Sequence, residues 1–306
     1  MKRLLITGAS GFLGRHCLVP ASSAAFEVHT ADLQPLRGAP ASVISHELDL
    51  LDAVATERLV EETRPTHLLH LAWVTTHGQY WTSPLNDVWV EASKRLLASF
   101  QRQGGERAVM VGTCAEYDWS EGVCDEISTP IRPMTPYGQA KARLHEVLAE
   151  FAGRQSLSYA WARLFFLYGP GESPARFVPS VVRALLAREP AACSEGTHER
   201  DYIYVADAAE ALVKLTDSEV TGPVNIGSGR AIAIRDLALT IGRLLGAEEL
   251  VRIGATPRRD DEAPRVVAGT NRLSREVKYD PRHDLEGGLG ETISWWRTSQ
   301  GESGNG

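Results

Sequence analysis

Cysteine is scarce in this chain, with four thiols among 306 residues. Cys17, Cys114, Cys124 and Cys193 include no close pair, so their spacing excludes a disulfide framework and a zinc ribbon. The nine histidines show no metal-ligand spacing beyond His67-Leu-Leu-His70, which fits a structural role within a strand better. We therefore expect no metal site and a reducing compartment, the cytoplasm.

Long apolar runs and an excess of basic residues are also missing. No stretch approaches the length of a membrane span, and the apolar start ends at Thr7-Gly8, which is too short for an export signal. The formal net charge of -7 gives no general attraction to nucleic acid or to anionic lipid. We therefore expect a small-molecule substrate, with neither a nucleic acid nor a membrane as partner.

Apolar runs alternate regularly with amphipathic stretches up to residue 165. The pattern predicts strands at 4–6, 26–31, 43–48, 66–72, 108–111 and 159–165, and helices at 12–22, 51–63, 85–103 and 136–154. Such alternation predicts an α/β fold of the Rossmann type, a doubly wound parallel sheet with helices on both faces. Beyond residue 165 loops become commoner around a helix at 178–188, which predicts a smaller C-terminal substrate-binding lobe.

A glycine-rich turn joins the first predicted strand to the first predicted helix. The helix start directs unpaired backbone N–H groups and its positive dipole end into the turn, and the glycines let the backbone approach a pyrophosphate. The alternative is a tight turn without a ligand. We predict that the turn binds a dinucleotide through Gly8, Ser10, Gly11, Phe12, Leu13 and Gly14.

Acidic residues follow the second and third predicted strands. A carboxylate at Asp32 can accept both ribose hydroxyls of the adenosine half and would repel a 2′-phosphate, so NAD(H) is favoured. NADP(H) stays possible because Arg15 or Arg37 could offset the acid. Asp49-Leu50 is expected near the adenine amine, with capping of the following helix by the aspartate as the alternative.

Tyr137 and Lys141 share one face of a predicted helix because they are four residues apart. Free tyrosine has a pKa of about 10, and a nearby ammonium stabilises the phenolate and lowers that value. Thr113 ends a buried strand and should lie at the same sheet edge, where its hydroxyl can hold a substrate oxygen. We expect Thr113, Tyr137 and Lys141 to be the catalytic residues, with an ordinary surface pair as the alternative for Tyr137 and Lys141.

A series of motifs resembles the extended short-chain dehydrogenase/reductase family, which includes nucleotide-sugar epimerases, dehydratases and ketoreductases. The likeness extends from residue 4 to residue 296. Besides the glycine turn and Tyr137-x-x-x-Lys141, it is carried by His70-Leu71-Ala72-Trp73, Gly112-Thr113-Cys114-Ala115-Glu116-Tyr117, Arg163-Leu-Phe-Phe-Leu-Tyr-Gly-Pro-Gly171, Arg200-Asp-Tyr-Ile-Tyr-Val-Ala-Asp207 and Asn225-Ile-Gly-Ser-Gly229.

The resemblance implies a Rossmann domain and a lobe that grips a nucleoside-diphosphate sugar. Residues 1–166 and 200–229 would form the Rossmann domain, and residues 167–199 and 230–298 would form the substrate-binding lobe. Residues 299–306 are expected to be a disordered tail. A homodimer through the helix that carries Tyr137 and the long helix before it is typical of the family. By similarity, cofactor contacts fall on Leu71, Ala72 and Trp73, and substrate contacts on Arg176, Phe177, Val178, Arg200 and Arg259.

Arg200 and Arg259 would neutralise the diphosphate, because a guanidinium offers forked donors that match phosphate. The alternative for Arg259 is a solvated charge cluster at residues 258–262. The loop at 74–81 supplies hydroxyls, an imidazole and two aromatic rings at the sheet edge. There Thr75 and His77 could contact a hexose, although the aromatic side chains also fit ordinary lid packing.

Departures from the family pattern reduce the number of reactions that the chain could catalyse. The dehydratases carry an Asp-Glu pair where this chain has Cys114-Ala115, so the acid and base for elimination are missing. Glu116 is displaced by one position and is expected to point elsewhere. Trp89 and Phe166 stand where the family has asparagines, which removes polar contacts to cofactor and diphosphate.

Three functions remain on sequence grounds. The first is reduction of a 4-keto-6-deoxyhexose on a nucleoside diphosphate, in which the nicotinamide delivers hydride, Tyr137 protonates the alkoxide and Thr113 orients it. The second is 4-epimerisation with tightly bound NAD, in which hydride leaves, the ketone rotates and hydride returns to its other face. The third is a non-catalytic dinucleotide sensor, which would not be expected to keep Tyr137 and Lys141.

Overall fold

A computed structural model describes residues 1–257 and 263–303 of the chain. Its largest sheet has seven parallel strands, in the order β3-β2-β1-β4-β5-β7-β11 across the sheet. Their bounds are β1 (Arg3–Thr7), β2 (Glu27–Asp32), β3 (Val43–Glu47), β4 (His67–His70), β5 (Arg107–Thr113), β7 (Ser158–Leu164) and β11 (Gly222–Ile226).

Helices cover both faces of this sheet. One apolar cluster joins strand residues to α1 (Gly14–Ser23) and α6 (Val205–Thr216), and a second joins them to α2 (Ala53–Thr63), α3 (Leu85–Arg102) and α4 (Pro136–Gln155). Because successive side chains of a strand face opposite sides, Leu4 and Ile6 belong to the first cluster and Leu5 to the second. The predicted doubly wound α/β fold is confirmed.

A second sheet stands beside the first and is centred on β10 (Glu199–Tyr204). This strand pairs in parallel with β8 and β14 and antiparallel with β12, and β14 pairs in parallel with β6. The bounds of these partners are β6 (Val123–Cys124), β8 (Phe166–Tyr168), β12 (Ala231–Ala233) and β14 (Arg265–Ala268).

The C-terminal lobe has an apolar core of its own, built largely from three helices. Two short strands pair beside it, and a short helix lies against β11. The bounds are α5 (Phe177–Leu186), α7 (Ile234–Leu245) and α9 (Leu285–Ser303) for the three helices, β9 (Ala191–Ala192) and β13 (Val251–Arg252) for the strands, and α8 (Asn271–Arg275) for the short helix.

Three sequence expectations differ from the structure in detail. The strand expected at 159–165 is two strands, because the chain leaves the large sheet after Leu164 and enters the second sheet at Phe166. The strand expected at 66–72 ends at His70, and the following residues turn into the cavity described below. The segment expected to be disordered begins inside α9, which continues to Ser303.

Candidate active site

A cavity of about 610 Å³ opens at the carboxyl ends of β1, β2, β4 and β5. Ligands of open parallel sheets bind at this edge. Every residue that the sequence predicts to contact the cofactor lines this cavity: Gly8, Ser10, Gly11, Phe12, Leu13, Gly14, Asp32, Asp49, Leu50, Leu71, Ala72, Trp73, Tyr137 and Lys141.

Glycine is required at two positions of the turn between β1 and α1. Gly8 has a φ of +75°, and a Cβ there would lie 2.8 Å from the backbone nitrogen of Ala72. A Cβ on Gly14 would lie 2.2 Å from the carbonyl oxygen of Gly8. Leu13 precedes α1 without a side-chain cap, and in the first turn the N–H groups of Arg15 and His16 donate to the carbonyl oxygens of Gly11 and Leu13. The positive dipole end of α1 therefore faces the turn, as an anionic ligand would require. The cradle fits a pyrophosphate.

Asp32 ends β2 at the rim of this cradle and is buried. Its Oδ1 accepts a hydrogen bond from the backbone N–H of Ser10 at 2.7 Å, whereas its Oδ2 is buried without a hydrogen-bond partner in the described part of the chain. Burial raises the pKa of this carboxyl, and the hydrogen bonds from Ser10 act against the rise. An orphaned acceptor here fits the ribose hydroxyl of a dinucleotide.

The arginines that could have offset Asp32 do not line the cavity. Arg15 donates to the carbonyl oxygens of Ser10 and Gly11 from the outer side of the turn, and Arg37 is exposed. This placement favours NAD over NADP, because neither of these two guanidinium groups is positioned in the cavity to bind a 2′-phosphate beside Asp32.

Asp49 lines the cavity and does not cap α2. Its Oδ1 accepts from the N–H of Leu51 at 2.8 Å, and the helix cap is Asp52, which accepts from the N–H groups of Val54 and Ala55. The capping alternative for Asp49 is therefore wrong, because Asp52 occupies that position.

Tyr137 and Thr113 meet at the centre of the cavity wall. Tyr137 lies at the start of α4, Thr113 ends β5, and both residues line the cavity, where the Thr113 side chain lowers the pKa of the phenol. The tyrosine ring also packs edge-on against Tyr80, at 5.0 Å between ring centroids, and against Trp81, at 5.7 Å. The phenol and the hydroxyl are thus held together in a pocket of aromatic rings.

Lys141 reaches the same wall from one turn further along α4. Its Nζ donates to the carbonyl oxygen of Val111 at 2.8 Å and lies 3.6 Å from the centre of the Trp73 ring, a cation–π contact. Burial lowers the pKa of Lys141 to about 7, with Glu116 acting in the opposite direction.

One electrostatic expectation is wrong for this structure. Burial raises the pKa of Tyr137, the neighbouring Tyr80 adds to the rise, and the hydrogen bond from Thr113 acts against it. The Lys141 ammonium does not reverse this shift, since it is held by Val111 and the Trp73 ring.

The predicted substrate side of the cavity is built from two segments. Thr75 and His77 lie at an exposed lip, while Phe177 and Val178 begin α5. Arg176 immediately precedes α5, and its guanidinium lies 5.3 Å from the Tyr80 ring. The pKa of His77 is lowered by partial burial and by the charge of Arg176. All five of these predicted residues line the cavity.

Of the two arginines predicted to contact the diphosphate, one lies away from the cavity and the other lies outside the described residues. Arg200 is buried, donates to the carbonyl oxygens of Glu199 and Ala263, and does not line the cavity. Arg259 lies outside the described residues. Their contact with a diphosphate stays a prediction.

Glu116 points away from the reacting groups, as expected from its displaced position. Its carboxylate is completely buried, pairs with Arg163 at 2.7 Å, and accepts from the indole of Trp161 and from the N–H of Thr113. It therefore fixes the backbone of Thr113 and offers no acid to the cavity. Cys114 and Ala115 are buried in the 3₁₀ turn that begins there.

The buried lining residue Glu172 was not singled out from the sequence. Glu172, in the loop between β8 and α5, is buried, and its Oε2 has no hydrogen-bond partner in the described part of the chain. Burial raises the pKa of Glu172 to about 8, against the opposing charge of Arg176. Its place directly after Gly169-Pro170-Gly171 was the available signal. Trp89 and Phe166, which replace asparagines of the family pattern, are apolar walls of the cavity.

These features define a dinucleotide-dependent enzyme whose tyrosine, lysine and threonine meet at one sheet edge. The chain belongs to the NAD dependent epimerase/dehydratase family, whose sequence model matches residues 4–227. It is an enzyme of nucleotide-sugar chemistry. None of the helices within residues 1–257 and 263–303 has the length and apolar character that crossing a bilayer requires.

Known proteins resemble the chain along its whole length. It is 28% identical to a UDP-glucose 4-epimerase of Azospirillum brasilense, over 99% of this chain and 95% of that protein. Among solved structures, the UDP-glucose 4-epimerase of Thermus thermophilus with NAD superposes with a TM-score of 0.84 at 25% identity, over 96% and 99% of the two chains. MoeE5 in complex with UDP-glucose and NAD gives 0.85 at 28% identity, over 97% and 99%.

Proposed function

We propose that the protein is an NAD-dependent 4-epimerase of a nucleoside-diphosphate hexose. The observation that carries the proposal is that Thr113, Tyr137 and Lys141 share one cavity with the Asp32 carboxyl. Sequence reasoning alone ranks reduction of a 4-keto sugar first, and no comparison supports that reading specifically. The likeness to UDP-glucose 4-epimerases over 99% of the chain favours the epimerase alternative.

The residues would serve both halves of an epimerisation. The Thr113 hydroxyl holds O4 of the hexose, and Tyr137, which lines the same cavity, takes the O4 proton during oxidation at C4 and returns it during reduction. When bound, NAD supplies the hydride acceptor and, in its oxidised form, a positive charge that lowers the pKa of a nearby phenol. Lys141 holds the nicotinamide ribose. Between oxidation and reduction, the 4-keto sugar would turn so that its opposite face lies toward the nicotinamide.

The test is to incubate the purified protein with UDP-glucose and no added cofactor. We expect the C4 epimer to form, measured by chromatography, while the nicotinamide absorbance shows no net change. The reductase reading predicts instead that a 4-keto sugar nucleotide consumes one NADH per turnover. That result, with no epimer from UDP-glucose, would contradict the proposal.

Replacement of Tyr137 by phenylalanine tests the assigned proton carrier. We expect Tyr137→Phe to lower kcat by roughly 10²- to 10⁴-fold, because the acid/base group is removed, and to change the Kd for NADH little. Tyr159→Phe, in β7 and outside the cavity lining, is the matched control and should keep kcat. Equal kcat values for Tyr137→Phe and the wild type would refute the mechanism.

We also propose a homodimer through α3 and α4. Two exposed apolar side chains in the first turns of α3, Leu85 and Val88, support this surface. Light scattering from the purified protein gives the mass directly.

A further inference from the structure

Glu172 has no part in the mechanism above, yet it is one of the buried residues that line the same cavity. Only 8% of the residue is exposed, and its Oε2 lacks a hydrogen-bond partner in the described part of the chain. A buried polar atom without a partner costs free energy, so such atoms point to a ligand that supplies the missing contact.

The loop that carries Glu172 is fixed from both ends. The carbonyl oxygen of Pro170 accepts a hydrogen bond from Nε2 of His16 in α1, at 3.0 Å, and the N–H of Glu172 donates to the carbonyl oxygen of Gly169 at 3.3 Å. Gly171 lies against the guanidinium of Arg15. The backbone of this loop is therefore held against α1, between the dinucleotide turn and the start of α5.

The charged groups around this loop come from two elements. Arg176, at the start of α5, acts directly on the carboxyl, and Arg15 and His16 approach from α1. Despite these groups, burial raises the pKa of Glu172 to about 8, so the neutral acid predominates at neutral pH. A neutral acid can donate a hydrogen bond, and it avoids repulsion from the diphosphates expected in the cavity.

The position of Arg176 indicates which ligand Glu172 meets. The Arg176 guanidinium lies over the Tyr80 ring, and Tyr80 packs against Tyr137. Glu172 is thus on the side of the cavity where the reacting sugar would be held, and Asp32 marks the opposite end, where the adenosine ribose would lie.

We propose that Glu172 donates a hydrogen bond to an acceptor oxygen of the hexose and so contributes to selection of the sugar. This rests on the proposed function for the class of substrate. Its readout is binding and not turnover, so a failure to form the C4 epimer and a failure of this contact are separate results.

The experiment compares Kd values for UDP-glucose and UDP, with NADH saturating, at about pH 6.5 and about pH 9, on either side of the pKa of Glu172. The ratio of the two Kd values isolates the contribution of the hexose. In the wild type we expect this contribution to fall ~10-fold at the higher pH, because the donor proton is lost. In Glu172→Gln, which keeps a donor at every pH, we expect this ~10-fold fall to be lost, leaving only the smaller change that titration of Lys141 causes.

Two further variants complete the test. Glu172→Ala should show the weakened hexose contribution at both pH values, and its thermal unfolding shows whether it folds. Glu189→Gln removes an exposed carboxylate beyond the end of α5 and should behave as the wild type. The proposal is overturned if Glu172→Gln keeps the pH dependence of the wild type, if Glu172→Ala weakens NADH instead of the hexose, or if UDP and UDP-glucose bind the wild type equally.

Discussion

At the scale of single residues, Asp32 illustrates how an incomplete set of contacts identifies a ligand. One carboxyl oxygen accepts a hydrogen bond from Ser10, and the other is buried without a donor in the described part of the chain. A ribose diol offers that donor, whereas a 2′-phosphate would bring a second negative charge to the same place. Discrimination between NAD and NADP should therefore depend on this one side chain.

We expect Asp32→Asn to reduce the preference for NADH over NADPH by roughly 10- to 100-fold, because a charge-assisted hydrogen bond and a repulsion are both lost. Fluorescence titration with the two reduced cofactors measures the preference. The control is Asp236→Asn, which removes an exposed carboxylate in the first turn of α7. An unchanged preference in Asp32→Asn would show that another group selects the cofactor.

At the scale of elements, the first turn of α3 positions two parts of the cavity next to the catalytic residues, the Trp73 ring and the loop that contains Tyr80. Asn86 is buried there, and its Nδ2 donates to the carbonyl oxygens of Tyr80 and Ser83 while its Oδ1 accepts from the indole of Trp73. Trp73 in turn lies under the ammonium of Lys141. Asn86 is therefore a positioning residue for the ring under the lysine and for the loop beside Tyr137.

We expect Asn86→Ala to lower the free energy of unfolding by about 2–3 kcal/mol, because two buried hydrogen bonds and a partly buried one are lost. It should also lower kcat while the Kd for NADH changes little, since the Asp32 end is untouched. Asn86→Asp keeps the acceptor for the Trp73 indole and loses both donors to the loop. Its kcat therefore shows which of the two sets of contacts matters for activity. Denaturant unfolding and steady-state kinetics give both quantities. If Asn86→Ala has the kcat of the wild type, Asn86 is not a positioning residue for the catalytic groups.

At the scale of the whole molecule, a buried polar network joins the two sheets. Arg163 of β7 pairs with Glu116 and donates to the hydroxyl of Tyr117, which donates to Asn225 of β11. Asn225 then donates to the carbonyl oxygens of Cys124 and Gly269, at the second sheet. The same network holds the backbone of Thr113 through Glu116.

We expect Arg163→Met to lower the free energy of unfolding by about 3–5 kcal/mol, because it leaves the Glu116 carboxylate buried without its cation. Arg265→Met, which breaks the half-exposed pair with Glu199, is the matched control and should cost less than about 1 kcal/mol. Urea unfolding of both variants gives the comparison. Equal losses would mean that burial of the first pair has no energetic weight.

Local patterns determined how much could be predicted. The large sheet, the glycine turn and the acid at Asp32 follow from periodicity and from neighbours in sequence, so the sequence predicted them. Asn86 and Glu172 escaped because their significance depends on partners brought together only by folding. The pKa of Tyr137 was misjudged for the same reason, since spacing places Lys141 nearby but does not show that Val111 and Trp73 hold its ammonium.

The passage of the chain between the two sheets has a practical consequence for engineering. The backbone enters the second sheet at β6, returns for β7, crosses again at Phe166, and comes back for β11 before its last excursion. No single cut separates a nucleotide-binding half from a sugar-binding half. Grafting the sugar preference of a relative onto this scaffold would mean transplanting at least three discontinuous pieces together.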